Sequence, residues 1–313
     1  MAPGIAAALA SSGEQTAVTG RSQERAEHAA ALAGSGVEAR PLQAATFAAA
    51  RLVVETVIEE PDVKAGLYAM VEPWLADGAL LTTNTSGLSI TRLARGLRRP
   101  ESFAGLHFLY PADVTPIVEI IAGEATAETT IRSLRELADR MGKSPIVAHR
   151  DVPGFVWNRL QLALLREALW LVDQGVADIA TVDAAVSDGL APRWLAAGPF
   201  ATVDLGGGET WSLVASEVFP HLASDPALTA ILQGHSENGT TFYDWTADDL
   251  ADLARLRAEG IQAARAVSQR RRRITPAPPP PAKSPPETDS LPRAQAPPNQ
   301  ADPDQAAGPA ARY

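Results

Sequence analysis

The chain has no cysteine in 313 residues. Disulfide frameworks, zinc thiolates and thiol nucleophiles are therefore excluded as the basis of its fold or chemistry. Aromatic residues are sparse, at 5%. No apolar run is long enough to span a bilayer, and the opening residues lack the basic start and apolar core of a secretory signal. Positive charge is also short. Lys and Arg total 27 against 37 Asp and Glu, a net charge of −10, which argues against nucleic acid or an anionic membrane as the main partner. The five histidines form no metal-ligand spacing with acids. These deficits leave the expectation of a soluble, cytoplasmic protein and do not exclude an anionic small ligand held in a local pocket.

What is present is a soluble-type composition, 46% hydrophobic and 20% charged, long enough for two cores. Ala-rich residues 1–13 read as a helix ending at Gly13, followed by a short strand in "QTAVTG". "SQERAEHAAALAG" reads as a helix with Ser22 as N-cap and Gly34 as its stop. "LVVETV", "ALLTT", "FAGLHFLYP", "PIVEII" and "SPIVAHRD" read as strands, with helices in "PDVKAGLYAMVEPWLADG" and "TAETTIRSLRELADRMGK". This alternation predicts an α/β domain over 1–150, a mostly parallel sheet covered by helices. From Asp151 to residue 268 every segment has helical spacing, an all-α domain, and its first long helix is apolar enough to be buried in an interface. Residues 269–313 form a Pro-rich tail that cannot bury a core and is expected to be disordered, with "RRRR" at the preceding helix end.

His107 in "GLHFLYP" stands at a strand end, where α/β sheets build their sites. Histidine is suited to moving a proton near neutral pH, although a lone strand histidine is more often structural. Glu119 in "PIVEII" is an acid inside an apolar run, costly to bury unpaired. It either lies on the exposed face of an edge strand or pairs with His107 and orients the ring. "TNTSG" offers Asn84, Thr85 and Ser86 at another strand end, explicable as turn chemistry alone. Asn158 stands in the first turn of the long apolar helix, where a polar side chain either bonds the helix start or serves a site. His28, His149, His221 and His235 read as surface residues.

In order along the chain, "VVETVIEEPDVK", "NTSGLSI", "FAGLHFLYP", "PIVEII", "DVPGFVWNRL" and "RWLAAGPF" resemble the motifs of the 3-hydroxyacyl-CoA dehydrogenase family. The resemblance covers residues 1–200 well and 201–268 more loosely. It implies that His107 is the base for the substrate hydroxyl, that Glu119 orients it, and that Ser86 and Asn158 hold the reacting oxygen and the thioester end. It further implies a Rossmann-type fold for 1–150, that Glu59, Lys64 and Asn84 lie at the cofactor, and that the substrate is a 3-hydroxyacyl-CoA. The long apolar helix adds the expectation that the helical domain closes the cleft and forms a homodimer. Tyr110 stands where the family usually has Asn. "RWLAAGPF" and "DWTADDLADLARLRAEG" are also similar to the gulonate and carnitine dehydrogenase branch, and a carrier-protein-bound acyl chain is a further substrate form.

The family's glycine fingerprint follows its first strand. Met1, Ala2 and Gly4 match the end of that fingerprint, while the first strand and the leading glycines have no counterpart in the sequence. The opening therefore reads as the second half of a dinucleotide-binding turn, and a non-catalytic remnant is the competing class of reading. Arg21 and Ser22 follow the next strand, where an NAD enzyme carries an acid; they hint at a 2′-phosphate and NADP, against the family's general use of NAD.

Overall fold

The structure is a computed structural model and describes residues 1–227, 232 and 241–274. The expected Pro-rich tail beyond residue 274, and His235, lie outside the described residues. The first part of the chain runs α1 (Ala2–Ser11), β1 (Thr16–Val18), α2 (Gln23–Ala33), β2 (Val37–Ala39), α3 (Ala44–Ala48), β3 (Leu52–Glu55) and α4 (Pro61–Val71). It continues with β4 (Leu80–Thr83), α5 (Ile90–Leu93), β5 (Phe103–Phe108), β6 (Ile117–Ile121), α6 (Glu128–Arg140) and β7 (Ser144–Ala148).

Five strands form one sheet in the order β3-β4-β5-β6-β7. Its neighbours run parallel except β5 and β6, which are antiparallel. All six residues of β5 are buried, as expected of a central strand covered on both faces. The period-two alternation divides them. Ala104, Leu106 and Phe108 face α1 and α6 together with Val118 and Ile120 of β6. Phe103 and Ile121 face the opposite way, into the core formed with Tyr68, Val71 and Phe155. His107 shares the parity of Phe103, and Glu119 that of Ile121, so both project on the same side of the sheet.

β1 and β2 pair in parallel as a separate two-stranded sheet. α1 bridges the two sheets: it packs on α2 and β1 and sends Ile5 and Ala8 into the main core. Glu14 adds two surface ties, accepting from Arg51 at 2.6 Å and Arg140 at 3.0 Å. β2 and α3 are elements that the sequence pattern does not reveal. At three and five residues they are too short to show a period.

The rest of the described chain is helical: α7 (Trp157–Asp173), α8 (Ile179–Ala184), α9 (Ala191–Ala196), α10 (Pro199–Gly206), α11 (Gly208–Val218) and a closing helix (Ala247–Ile274). The bounds expected from the sequence need correction here. The long apolar helix starts at Trp157, because Gly154 and Phe155 adopt φ of 78° and 50°, incompatible with a helix interior. Among the described residues its apolar surface is largely uncovered: Leu169 is its one buried residue, and Leu160 and Leu162 are 64% and 56% exposed. The stretch 198–222 is broken at Gly207, whose φ is 83°. The closing helix also runs to Ile274, through the arginines and past the expected start of the tail.

Candidate active site

Register brings the two central residues together. His107 and Glu119 are directly opposed across the antiparallel β5–β6 pair, and Nδ1 of His107 lies 2.8 Å from Oε2 of Glu119. β6 has neighbours on both sides, so Glu119 is fully buried rather than on an exposed edge. Its second oxygen, Oε1, accepts from the backbone N–H groups of Val156 at 3.0 Å and Trp157 at 2.8 Å. These groups open α7, where the helix dipole favours an acid. With Oε1 committed to two donors the carboxylate acts as an acceptor. His107 Nδ1 is then the donor, and Nε2 is the ring nitrogen left for a substrate. Nε2 makes no hydrogen bond among the described residues. The edge-on ring of Phe155, 6.0 Å between centroids, packs against the imidazole.

The strand ends beside this pair carry the polar residues expected from the sequence. Asn84 accepts from the Phe108 N–H at 2.8 Å, so it braces the residue after His107. Asn158 donates through Nδ2 to the Ser86 carbonyl at 2.8 Å, joining the first turn of α7 to the turn after β4. The Ser86 hydroxyl has no hydrogen-bond partner among the described residues, and the residue is exposed. Glu59 holds the same turn. It accepts from the N–H groups of Ser86 at 2.8 Å and Gly87 at 3.2 Å and from the Thr85 hydroxyl. Burial alone would raise the Glu59 carboxyl, but the bonds from Thr85 and Ser86, with the Lys64 charge, outweigh it and hold it below its ordinary range.

Lys64 is enclosed. Its side chain is 1% exposed and donates to Glu55 at 2.8 and 3.0 Å, with Glu59 3.5 Å away. Glu55, an acid in an apolar strand like Glu119, carried the same sequence signal and was not singled out there. Phe155, Lys143 and Asp151 were also missed. Asp151 receives the Ser89 hydroxyl at 2.6 Å and the Thr91 N–H at 2.9 Å, which fixes α5 to the segment entering α7.

The opening of α1 suits an anion such as a dinucleotide phosphate. The helix starts without a side-chain cap, and with Pro3 lacking an N–H and Ile5 bonded to the Met1 carbonyl, the Ala2 and Gly4 N–H groups are left to bind it. A Cβ on Gly4 would stand 3.3 Å from Ala112 Cβ and Asp113 Oδ1, so a larger residue would crowd the turn. Arg21 is exposed at the end of β1. Ser22 is occupied as the N-cap of α2, its hydroxyl accepting from the Arg25 N–H at 3.3 Å. Among the described residues no group of His and acids could hold a metal, and no helix is long and apolar enough to cross a membrane. His28, His149 and His221 are exposed, as expected.

Fold and site together define an NAD-dependent oxidoreductase of the Rossmann class. Residues 1–152 match the family model of the 3-hydroxyacyl-CoA dehydrogenase NAD binding domain, and residues 154–241 match that of its C-terminal domain. The chain belongs to the 3-hydroxyacyl-CoA dehydrogenase family. It is 33% identical over 229 residues to 5-formyl-3-hydroxy-2-methylpyridine 4-carboxylate 5-dehydrogenase of Mesorhizobium japonicum, covering 71% of this chain and 74% of that one. The 3-hydroxyadipyl-CoA dehydrogenase of Escherichia coli is 35% identical over 212 residues, and the match spans 44% of its length. Among solved structures, the pyridine carboxylate dehydrogenase, described as an NAD+ dependent dismutase, superposes with a TM-score of 0.80 at 29% identity, over 85% of this chain and 94% of that one. The 3-hydroxybutyryl-CoA dehydrogenase of Escherichia coli gives 0.63 at 30% identity, over 78% and 57%.

Proposed function

We propose that the chain oxidises the 3-hydroxyl of an acyl thioester such as a 3-hydroxyacyl-CoA to the 3-oxo form, with NAD as acceptor. The observation that carries the reading is the buried His107–Glu119 pair, 2.8 Å apart, with Nε2 unused. Glu119 fixes the ring and stabilises the imidazolium that forms when Nε2 takes the hydroxyl proton. In the reverse direction the same proton returns to the carbonyl oxygen. Asn158 and the exposed Ser86 hydroxyl hold the reacting oxygen and the carbonyl end of the substrate. Bound NAD supplies the hydride acceptor. The N–H groups at the start of α1, with Gly4 and Ala2 in its first turn, would hold NAD together with Glu59 and Asn84. NAD rather than NADP is favoured by the NAD binding domain match and by the engagement of Ser22 in capping.

A second substrate class has its own support. The match to the pyridine carboxylate dehydrogenase is longer and superposes better than those to the acyl-CoA enzymes. A small aromatic hydroxymethyl or aldehyde substrate uses the same proton transfer at His107.

The test is turnover of 3-hydroxybutyryl-CoA and of a pyridine carboxylate aldehyde, each with NAD and NADP. Oxidation of the thioester with NAD is the expected result. His107→Ala should lower kcat by about 10²–10⁴-fold while NADH binding, followed by fluorescence, stays within about twofold. An active His107→Ala enzyme would remove His107 as the base, and turnover of the aldehyde alone would replace the thioester reading.

A further inference from the structure

Glu55 ends β3 with its carboxylate fully enclosed, and neither proton transfer nor cofactor binding accounts for it. We propose that Glu55 is a positioning residue for catalysis: through Lys64 and Glu59 it anchors the 84–87 turn that presents Ser86 and holds Asn158. The proposal rests on the reading of Ser86 and Asn158 as substrate-facing groups.

Five hydrogen bonds converge on the Glu55 carboxylate. Lys64 gives two, at 2.8 and 3.0 Å, the Tyr68 hydroxyl one at 2.6 Å, Thr83 one at 2.8 Å and the Val57 N–H one at 2.6 Å. An unpaired buried carboxylate is costly, and this saturation offsets the cost. Burial and the Glu55 charge push the Tyr68 hydroxyl far above an ordinary tyrosine, so it stays a donor. Thr83 belongs to β4 and faces Glu55 in register, so the acid pins the end of the strand from which the turn departs.

Two routes then lead from Glu55 to the site. Lys64 lies between Glu55 and Glu59, 3.5 Å from the latter. Glu59 grips the N–H groups of Ser86 and Gly87, and Ser86 in turn accepts from Asn158. The second route is backbone: the Glu55 carbonyl accepts from the Asn84 N–H at 2.8 Å, and Asn84 accepts from Phe108 beside His107. Enclosure leaves Lys64 as the link between two acids. Neutralising Glu55 would free it to turn wholly to Glu59 and drag the turn with it.

The test uses Glu55→Gln, which keeps the shape and removes the charge. Hydrogen–deuterium exchange of the 84–88 segment should quicken about tenfold, the loss of roughly one buried charged bond, while 103–108 stays protected. With 3-hydroxybutyryl-CoA and NAD, kcat should fall on the order of 100-fold from misplacement of the turn. In an Asn158→Ala background the same change should cost under about threefold, since residues acting through one another are non-additive. Unchanged exchange at 84–88, or losses that multiply, would overturn the proposal. Should Glu55→Gln fail to fold, Thr83→Val and Tyr68→Phe each remove one bond to Glu55, and the exchange measurement decides in the same way. Wild-type protein that turns over neither substrate would overturn the thioester reading, while the exchange result still judges the role of Glu55.

Discussion

At the scale of single residues, Lys143 is the most exacting case. It is a buried cation whose Nζ donates to the carbonyls of Ala112 at 2.7 Å and Thr115 at 2.6 Å, on the loop joining the His107 and Glu119 strands. Burial, with the Arg265 charge, pulls it down to about 8, against a smaller opposing pull from Asp113. The sign follows from linkage. Between pH 8 and about 10.4 the unfolded lysine holds a proton that the native one has released, so stability rises with pH across that window. The contribution is complete above the window and is lost as pH falls to about 8. Urea titrations from pH 7.5 to 10.5 should show this slope in the wild type and a flatter one in Lys143→Met; identical slopes would remove the assignment. None of this was legible in "RMGKSP", where the lysine reads as a solvated turn residue. His107 and Glu119 were legible because a polar residue inside an apolar strand demands a partner. Which partner it takes depends on register, which the sequence does not display.

Among the elements, β5 shows what limits substitution. Gly105 sits between β4 and β6, and a Cβ there would meet Ile121 Cδ1 and Ile90 Cδ1 at 2.9 Å. The strand that carries His107 therefore approaches its covering layer more closely than a side chain permits. Gly105→Ala should destabilise the fold by about 1–3 kcal/mol through overpacking, read from the denaturation midpoint. A neutral result would mean that the two isoleucines swing aside freely. Most strands and helices of the α/β part were readable because their apolar runs alternate and are bounded by Gly, Pro and polar turn residues. The apolar content of α7 gave the expectation of burial in an interface, although composition does not say whether the covering surface comes from the same chain. Its start was also shifted, because "VPGF" carries turn geometry that a run of apolar letters conceals.

For the whole molecule, the exposed apolar side chains of the helical part need a cover. Leu160, Leu162, Phe200, Leu205 and Leu213 are each more than half exposed, large apolar side chains that a partner surface would cover. A homodimer through this part is the proposed solution. Light scattering should give the mass of two 32.9 kDa chains, and Leu160→Glu with Leu162→Glu should shift it toward one; a monomeric wild type would count against the proposal. The two sheets have a different consequence. The β1–β2 ribbon shares no strand hydrogen bonds with the five-stranded sheet and is attached through α1 and the Glu14 arginine ties. It can therefore come loose at a lower free energy than the molecule as a whole. The proposed nucleotide site joins the start of α1 to Glu59 and Asn84 beside the five-stranded sheet, so the nucleotide would act as the ribbon's clasp. A protease should nick the segment between 13 and 50 first. NAD at a hundred times its Kd should slow that nick about a hundredfold by mass action, leaving cleavage in the closing helix untouched. Sensitivity to digestion would then report cofactor occupancy without any substrate present.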